Sequence, residues 1–338
     1  MPWWSLLLAF LASFLLTAAL RRYALRRQLL DVPNARSSHV APTPRGGGLA
    51  FVLTLALATG AQASLGLIAG SLAWAVLGSG LVVALLGFVD DHGHIAARWR
   101  LLGHFAAAGW ALFWLGGLPA VSVFDWTLQP GWLALVVTLF FLVWMLNLYN
   151  FMDGIDGIAS IEAVCVCLGA LCCYAVVPAA GTAPLGRVEC LLIAAVAGFA
   201  CWNFPRARIF MGDAGSGFLG ITLAVLAVHA AWVKPVLLWS WLILLGVFIV
   251  DATFTLLRRL LRGEAVYQAH RSHAYQVAAR RLGQHIPVTQ SVAVINVVWL
   301  LPWALGVASG RVDGAVATFI AYVPLAGLCI WLRAGKPE

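Results

Sequence analysis

The segment 131-GWLALVVTLFFLVWMLNLYNFMDGIDG-157 sets the fold class of this chain. Residues 131–149 form an apolar run that, as a helix, is long enough to cross the roughly 30 Å hydrocarbon layer of a membrane. Polar residues then recur at intervals of three: Asn147, Asn150, Asp153 and Asp156. The segment therefore predicts a membrane-spanning helix whose end carries amides and carboxylates.

Apolar runs of this kind recur along the whole chain. The 338 residues are 62% hydrophobic and only 10% charged, which excludes an ordinary water-soluble domain. The composition predicts an all-α, polytopic integral membrane protein, one transmembrane domain over residues 1–338 with about eleven transmembrane helices. The predicted spans are 3–20, 48–68, 71–88, 101–118, 131–149, 158–180, 190–204, 214–231, 236–256, 289–308 and 314–332.

The first run and the cysteines carry no sign of secretion or of a structural metal site. The run 3–20 lacks a basic segment before it and a small-residue cleavage site after it, so it is predicted to remain as a membrane anchor. The seven cysteines lie almost wholly inside apolar runs, without the spacing of a disulfide framework or of a zinc site. We interpret them as small buried apolar residues.

The basic residues fall mainly on one side of the predicted membrane. Of the 21 lysines and arginines, all but Arg187, Lys234 and Arg311 lie in loops on one side. The positive-inside rule makes that side cytoplasmic, with the N-terminus periplasmic and the C-terminus cytoplasmic. This asymmetry explains most of the net charge of +8, so the charge does not indicate nucleic-acid binding.

Every unusual polar cluster lies on the predicted cytoplasmic side. The loops concerned are about 21–47, 89–100, 150–157, 205–213 and 257–288. Acidic groups at membrane depth are energetically costly and are kept mainly where a cation or a substrate needs them. Five clusters on one side therefore predict a single active site.

Two of these clusters are carboxylate-rich. Asp90 and Asp91 end an apolar run, and on a helix their side chains project about 100° apart, so we expect one to face the site and the other to orient a neighbour or a cation. Capping of the next helix is the alternative for one of them. The spacing of Asn147, Asn150, Asp153 and Asp156 predicts a polar stripe that lines a cavity; a solvated helix end is the alternative.

The remaining clusters suit anion binding. Residues 212-GDAGSG-217 open the eighth predicted helix, where free backbone N–H groups favour phosphate oxygens, although a plain turn and helix start would also explain them. Residues 46–48 are three glycines that could serve only as a flexible entry to the next span. The loop with His270, Arg271 and His273 offers donors to phosphates, while its leading arginines also suit contact with anionic lipid.

Hard oxygen ligands without a convincing cysteine or histidine cluster favour Mg²⁺, with Mn²⁺ as a substitute, over zinc. An acidic pocket beside anion-binding elements suits phosphoryl transfer to or from a molecule dissolved in the membrane. The residues alone therefore predict a metal-dependent membrane enzyme.

At these motifs the chain resembles the polyprenyl-phosphate N-acetylhexosamine-1-phosphate transferases, glycosyltransferase family 4. The matching motifs, from Asp31 to His273, include DxPNxRSxH (31–39), PTPRGGG (42–48), NxxDGxDG (150–157) and FMGDAGS (210–216). The resemblance implies transfer of a sugar 1-phosphate from a UDP-N-acetylhexosamine to undecaprenyl phosphate, with Mg²⁺ and release of UMP. It also implies a bacterial inner membrane location with the active site facing the cytoplasm, and allows a homodimer.

The resemblance also assigns roles by position. Asp90, Asp91 and Asp213 are the implied catalytic residues, with Asp90 as the base that deprotonates or orients the lipid phosphate. Asp213, Asp91 and Asn150 are the implied metal ligands. The implied substrate-binding residues are Arg45, Asn147, Asn150, Asp153, Asp156, Gly212, His270, Arg271 and His273.

The opening motifs resemble the O-antigen and surface-polysaccharide branch, whose donors include UDP-GlcNAc and UDP sugars of the N-acetylfucosamine and N-acetylquinovosamine type. Residues 270–273 read His-Arg-Ser-His, where the phospho-MurNAc-pentapeptide translocase carries three consecutive histidines, so the peptidoglycan reaction is the alternative. Single displacement is the favoured mechanism, and an aspartyl intermediate on Asp90 or Asp213 stays open. A cation-coupled secondary transporter is the alternative from another class.

Overall fold

Long apolar helices dominate the architecture. The structure, a computed structural model, describes residues 3–32, 41–93, 95–124, 126–177, 185–264 and 270–336. The helices are α1 (Trp3–Arg26), α2 (Leu49–Ser64), α3 (Gly70–Gly93), α4 (Ala97–Leu115), α5 (Trp132–Met152), α6 (Ile158–Val176), α7 (Arg187–Asn203), α8 (Asp213–Val233), α9 (Val236–Leu244), α10 (Gly246–Leu260), α11 (Ala274–Leu282), α12 (Ile286–Val294), a π-helical segment (Ile295–Leu300), α13 (Leu301–Ala308) and α14 (Gly314–Trp331).

Two short antiparallel strand pairs complete the fold. β1 (Leu30–Asp31) pairs with β2 (Thr43–Pro44), and β3 (Val121–Val123) pairs with β4 (Trp126–Leu128). The first pair places Asp31 opposite Thr43 and joins the two ends of the loop after α1. It thereby fixes where the glycine-rich entry to α2 begins.

The all-α, polytopic membrane class is confirmed. In the described residues, seven helices are long and apolar enough to span a membrane: α1, α3, α5, α6, α8, α14 and the continuous Ile286–Ala308 helix. The pair α9 and α10, bent by 70°, makes an eighth if it forms one span. The other three predicted spans form α2, α4 and α7; α2 and α7 have 16 and 17 residues, and α4 starts beside Arg98 and Arg100.

Three of the differences between the helices and the predicted spans bear on the site. α3 continues past residue 88 to Gly93 and so includes both Asp90 and Asp91, because these carboxylates find partners in the protein. The predicted span 236–256 is two helices that meet at Leu245. α5 ends at Met152, so the polar stripe is helical only at Asn147 and Asn150.

α8 is the central helix of the bundle. Its apolar window is 83% buried, and it packs against α3, α5 and α9. Glycines permit the closest of these approaches: a Cβ at Gly87 of α3 would lie 2.5 Å from the backbone nitrogen of Ala214, and one at Gly220 would lie 2.6 Å from the Cα atom of Leu146. Because the helix backbones nearly touch, the polar ends of α3, α5 and α8 lie together.

The outer helices present large apolar side chains outward. Leu57, Phe113 and Trp132 are each more than 70% exposed in the isolated chain. Such surfaces are unfavourable in water and suit contact with lipid. They fit the multi-pass membrane protein that the composition predicts.

Candidate active site

The loop before α2 is anchored to the loop before α8 by backbone hydrogen bonds. The N–H of Phe210 donates to the carbonyl of Pro44 at 2.8 Å. The N–H groups of Gly47 and Gly48 donate to the carbonyls of Phe210 and Met211, both at 2.9 Å. This pairing holds the backbone of the PTPRGGG motif against the FMGDAGS motif and sets the position of the side chain between them, Arg45.

Asp91 caps the N-terminus of α8. Its Oδ1 accepts from the N–H of Asp213 at 3.3 Å, and the N–H of Ala214 also donates to this carboxylate. Gly212 precedes the helix with φ +80°, and a Cβ there would lie 2.7 Å from Asp91 Oδ2. The positive end of α8 therefore faces a carboxylate of the protein, whereas the capping alternative concerned the helix that follows Asp91 in the chain, α4.

Arg45 bridges two carboxylates from different helices. Its Nη2 atom lies 2.7 Å from Asp91 Oδ1 and 2.9 Å from Asp213 Oδ1. The side chain of Asp91 is only 4% exposed, whereas those of Asp213 and Arg45 are 28% and 36% exposed. We call these three residues the Arg45 bridge.

Asp90 points away from this bridge. Its Oδ2 pairs with Arg100 Nη1 at 2.5 Å, and its Oδ1 accepts from the N–H of Ile95 at 2.8 Å. The two adjacent aspartates thus have separate partners, as their angular separation on a helix requires. Arg100 lines a small side cavity, about 20 Å³, that also borders Asn147, Asn150 and Asp213.

The two asparagines of α5 face this region. Asn150 Nδ2 donates to Ser216 Oγ of α8 at 3.1 Å, a hydrogen bond that does not use its amide oxygen. Asn147 Nδ2 donates to the carbonyl of Val143 at 2.7 Å and lies 3.4 Å from His104 Nδ1. Asn147 borders the side cavity only, whereas Asn150 lies between the two cavities.

The carboxylates after α5 lie on a short loop. Asp156 Oδ2 is 3.2 Å from His285 Nδ1, and the hydroxyl of Thr289 donates to the Asp156 carbonyl at 2.8 Å. Asn203 joins this loop to the loop before α8: its Oδ1 accepts from the N–H of Gly157 at 3.0 Å and its Nδ2 donates to the Ile209 carbonyl at 3.0 Å. Asn203 supports both walls of the site.

These elements enclose an acidic cavity of about 190 Å³. Its walls come from six separate parts of the chain: Asp31, Arg45, Asn150, Asp153, Gly154, Ile155, Asp156, Asn203, Phe210, Met211, Gly212, Asp213, Ser216 and Gln276. A wider open cleft of about 630 Å³ adjoins it at Asp156 and includes Thr43, Arg206 and His285. The two together offer the space of a site for a small, polar and extended ligand.

The predicted histidine motif supports the site from outside the acidic cavity. His273 is buried, with Nδ1 3.4 Å from Asp251 Oδ1, and its ring lies beside that of His270. Asp251 of α10 also accepts from the N–H groups of Ala274 and Tyr275 at 2.8 and 2.9 Å and so caps α11. The expected contact of His270, Arg271 and His273 with substrate stays a prediction.

Helix α11 places two further residues at the site. Gln276 lines the acidic cavity, and its Oε1 accepts from the N–H of His273 at 3.3 Å. The hydroxyl of Tyr275 donates to the carbonyl of Phe151 at 2.9 Å. The sequence analysis did not assign Gln276 to the site, although its place three residues after His273 is a capping-box pattern. It gave no role to Ser216, which lies in the FMGDAGS motif, or to Asn203, which has no local signal in the sequence.

The charges in the loops shift several pKa values. Burial raises the pKa of Asp153 well above its ordinary value, the carboxylates of Asp213 and Asp91 add to this, and Arg45 opposes it. Burial disfavours the charged form of Arg45, but the carboxylates of Asp213 and Asp91 outweigh it and raise the pKa of Arg45. Burial, then His273 and Arg259, lowers the pKa of His270 to about 3, so its ring is neutral at pH 7.

The oxygen atoms fit a hard divalent cation that retains water and substrate ligands. Within the described ranges, no three His, Cys, Asp or Glu residues form a ready metal cluster. Asp91 and Asp213, however, converge on one nitrogen atom of Arg45 within 2.9 Å, and Asn150 lines the acidic cavity together with Arg45 and Asp213. Mg²⁺ is commonly held by one or two carboxylates together with phosphate oxygens, so this set suits it.

Part of the chain matches a known family model. Residues 73–231, which include Asp90, Asp91, Asp153, Asp156 and Asp213, match the model described as glycosyl transferase family 4. This range holds α3 to α8 almost completely and therefore most walls of the acidic cavity.

Full-length relatives extend the match. A protein of Streptomyces coelicolor, whose name places it among the glycosyltransferases, is 32% identical over 332 residues, 95% of this chain and 75% of that protein. The decaprenyl-phosphate N-acetylglucosaminephosphotransferase of Mycobacterium leprae is 28% identical over 347 residues, 90% of this chain and 82% of its own. The undecaprenyl-phosphate alpha-N-acetylglucosaminyl 1-phosphate transferase of Thermotoga maritima is 26% identical over 275 residues, 80% of each chain.

Proposed function

The chain belongs to glycosyl transferase family 4, the polyprenyl-phosphate N-acetylhexosamine-1-phosphate transferase superfamily, and we propose that it transfers a sugar 1-phosphate from a UDP-N-acetylhexosamine to undecaprenyl phosphate. The products are a lipid-linked diphosphate sugar and UMP. One observation carries the proposal: Asp153 and Asp156, which follow α5, and Asp213, which opens α8, line one cavity, and Arg45 joins Asp91 of α3 to Asp213 at its wall.

The donor binds in the acidic cavity. Arg45 and the backbone at Gly212 face the diphosphate, and the loop from Asp153 to Asp156 faces the nucleotide. The adjoining cleft beside Asp156 and His285 has room for the sugar. Arginine suits this role because its planar guanidinium donates two parallel hydrogen bonds to phosphate oxygens.

Asp91, Asp213 and Asn150 would hold Mg²⁺, and Mn²⁺ would substitute for it. An ion held by these residues would supply positive charge that offsets the negative charge of the donor diphosphate. The residues themselves fix its position: Asp91 is held by the α8 N-terminus, and Asn150 is held by Ser216.

The acceptor phosphate approaches next to Arg100, on the side of the site formed by α3 and α4. Arg100 lines the side cavity and pairs with Asp90, and the side cavity shares Asn150 and Asp213 with the acidic cavity. Asp90 acts as the base that removes or orients the proton of the lipid phosphate, whose oxygen then attacks the β-phosphorus of the donor. The phosphoryl group moves in a single displacement and UMP leaves with the bonding electron pair.

We place the protein in the bacterial inner membrane with this cavity facing the cytoplasm, where UDP sugars are made. The donor sugar is N-acetylglucosamine or a related N-acetyl amino sugar, and the product starts an O-antigen or another surface polysaccharide. The sequence His-Arg-Ser-His at 270–273 supports this branch over the phospho-MurNAc-pentapeptide reaction. A transporter is disfavoured because the acids line one end of the bundle rather than its middle.

One assay tests the proposal. Purified protein in detergent is incubated with undecaprenyl phosphate, MgCl₂ and each member of a panel of UDP-N-acetyl sugars, including UDP-MurNAc-pentapeptide. Release of UMP together with a lipid product whose mass equals undecaprenyl phosphate plus the sugar phosphate supports it and identifies the donor. A protein that releases no UMP with any member, or that moves a cation across proteoliposomes instead, contradicts it.

A further inference from the structure

The geometry points to Arg45 as an exchangeable counterion: it occupies the carboxylates of Asp91 and Asp213 until a divalent cation displaces it, and the freed guanidinium then binds the donor diphosphate. This inference rests on the proposed function, because it assigns an order of contacts within the same site. It makes metal binding and donor binding depend on each other through one side chain.

The first support is the position of one nitrogen atom. Arg45 contacts Asp91 Oδ1 and Asp213 Oδ1 through the same atom, Nη2, at 2.7 and 2.9 Å. A single positive centre between two carboxylate oxygens from facing helices is where a bound cation would also lie. Arg45 and a cation held by both carboxylates therefore compete for the same oxygen atoms.

The second support is that the Asp91 carboxylate and the backbone of Asp213 are held without Arg45. Asp91 accepts from the N–H groups at the start of α8, and Asp213 is the first residue of that helix. Gly87 brings α3 against the backbone of Asp213 and Ala214, which fixes the two helices relative to each other. Departure of the arginine side chain thus leaves the two helix ends that carry the carboxylates together.

The third support is that the Arg45 backbone is anchored independently of its side chain. Pro44, Gly47 and Gly48 are joined to Phe210 and Met211 by three backbone hydrogen bonds. The side chain itself is 36% exposed and lines the acidic cavity. It can therefore swing within the cavity while its backbone remains in place.

The exchange predicts that cation binding and donor binding favour each other. In the free protein the guanidinium offsets the repulsion between two nearby carboxylates, so a cation must break two charge-assisted hydrogen bonds to bind. When a donor diphosphate takes over the guanidinium, that cost disappears. Each ligand then raises the affinity of the other by the same factor, as linkage requires.

The test measures Mn²⁺ affinity by electron paramagnetic resonance, without substrate, in wild type, Arg45→Met, Arg45→Lys and a control, Arg258→Met. Arg258→Met removes the same charge as Arg45→Met. Arg258 donates to the Ala334 carbonyl and lines neither the acidic cavity nor the side cavity. Arg45→Met is expected to bind Mn²⁺ about tenfold more tightly than wild type, a factor within the range of a charge-assisted hydrogen bond. Arg45→Lys, which keeps one positive centre, falls between them, and the control matches wild type.

A second arm repeats the titration with saturating UDP. The enhancement of Mn²⁺ affinity by UDP is expected to be smaller in Arg45→Met than in wild type, because only the wild type gains a freed guanidinium. Unchanged or weaker Mn²⁺ binding by Arg45→Met, or an equal UDP enhancement in both proteins, overturns the inference. These titrations need no turnover, so a wild type that binds Mn²⁺ as described yet releases no UMP from any UDP sugar refutes the proposed function and not the exchange.

Discussion

The acids at the polar ends of α3, α5 and α8 differ in one respect from the two glutamates buried in the helix bundle: their partners. Asp90, Asp91, Asp156 and Asp213 lie beside arginine or histidine. Glu162 instead accepts from the amide of Asn296 at 2.6 Å, and Glu189 from the hydroxyl of Tyr174 at 2.9 Å.

Access to the two groups also differs. Asp153, Asp156 and Asp213 line the acidic cavity, whereas Glu162 and Glu189 are at most 2% exposed and border neither the acidic cavity nor the side cavity. A neutral hydrogen-bond donor supports a buried acid but offers nothing that a charged ligand could exchange with. The comparison shows that contact with a cationic side chain or with an open cavity, and not burial of an acid by itself, distinguishes the acids of the site.

The strongest test of this comparison is Asp213→Asn. The substitution keeps the size of the side chain but removes a carboxylate charge from the predicted metal site, so we expect turnover to fall about a thousandfold, as when a main electrostatic contact to a transition state is lost. UMP release measures the effect, and a thermal melt in the same detergent checks the fold. Turnover within tenfold of wild type would remove Asp213 from the metal site.

Asp90→Asn tests whether Asp90 serves as the base, a role different from that of its neighbour Asp91. The amide cannot serve as a base, although it can still accept from the N–H of Ile95, and we expect turnover to fall about a hundredfold or more. The matched control is Asp313→Asn, at the aspartate that caps α14. Near-normal turnover of the Asp90 variant would assign the base elsewhere, and equal losses in both variants would indicate a general effect on the fold.

Asp153→Asn tests the effect of a buried acid on the stability of the protein. The pKa of Asp153 is raised in the folded protein, so its neutral form favours folding; that contribution is complete below the ordinary aspartate pKa of about 4 and is lost as the pH rises through the raised pKa. In EDTA, we therefore expect the variant to melt above wild type, with a gap that widens between pH 5 and pH 8. A gap that is constant or that narrows with pH would contradict the shift.

Glu162→Gln is expected to have the smallest effect on catalysis. Glutamine can still accept the hydrogen bond from Asn296, so turnover should stay within about twofold of wild type. Glu162→Ala instead leaves the Asn296 amide buried without this partner, which should lower the free energy of unfolding by about 1–3 kcal/mol. A large loss of turnover in Glu162→Gln, with the melt unchanged, would break the distinction between the two groups of acids.

Much of the site could be predicted because a polar residue at the end of an apolar run can be recognised from the residues next to it in the sequence. Asp91, Asn150, Asp153, Asp156, Gly212 and Asp213 stand out from apolar runs, and the structure brings them together around the acidic cavity or its Arg45 bridge. The loop before α2 is a partial case. Arg45 and Asp31 line the cavity, whereas residues 33–40, which hold most of the DxPNxRSxH motif, lie outside the described residues.

Other assignments needed the spatial neighbours. Asp91, and not Asp90, faces the α8 N-terminus because Asp90 pairs with Arg100 and Asp91 pairs with Arg45. Arg100 lies on the next helix, and Arg45 lies in the loop before α2, so the sequence of α3 alone does not show this choice. Asn203 cannot be recognised from the sequence because it joins two loops, and this contact forms only when both loops are in place. His273 resembles a ligand-binding residue in the sequence, yet in the fold it lies beside Asp251.

The sequence by itself determined the membrane-embedded all-α class and the polar segments that form the site, because lipid admits few polar groups and each exception is visible against the apolar runs. Only the tertiary structure decided the partner of each acid. A carboxylate has the same formula beside Arg45 as beside Asn296, and its role follows from the charge, the distance and the open space around it, which are set by residues far away in the chain.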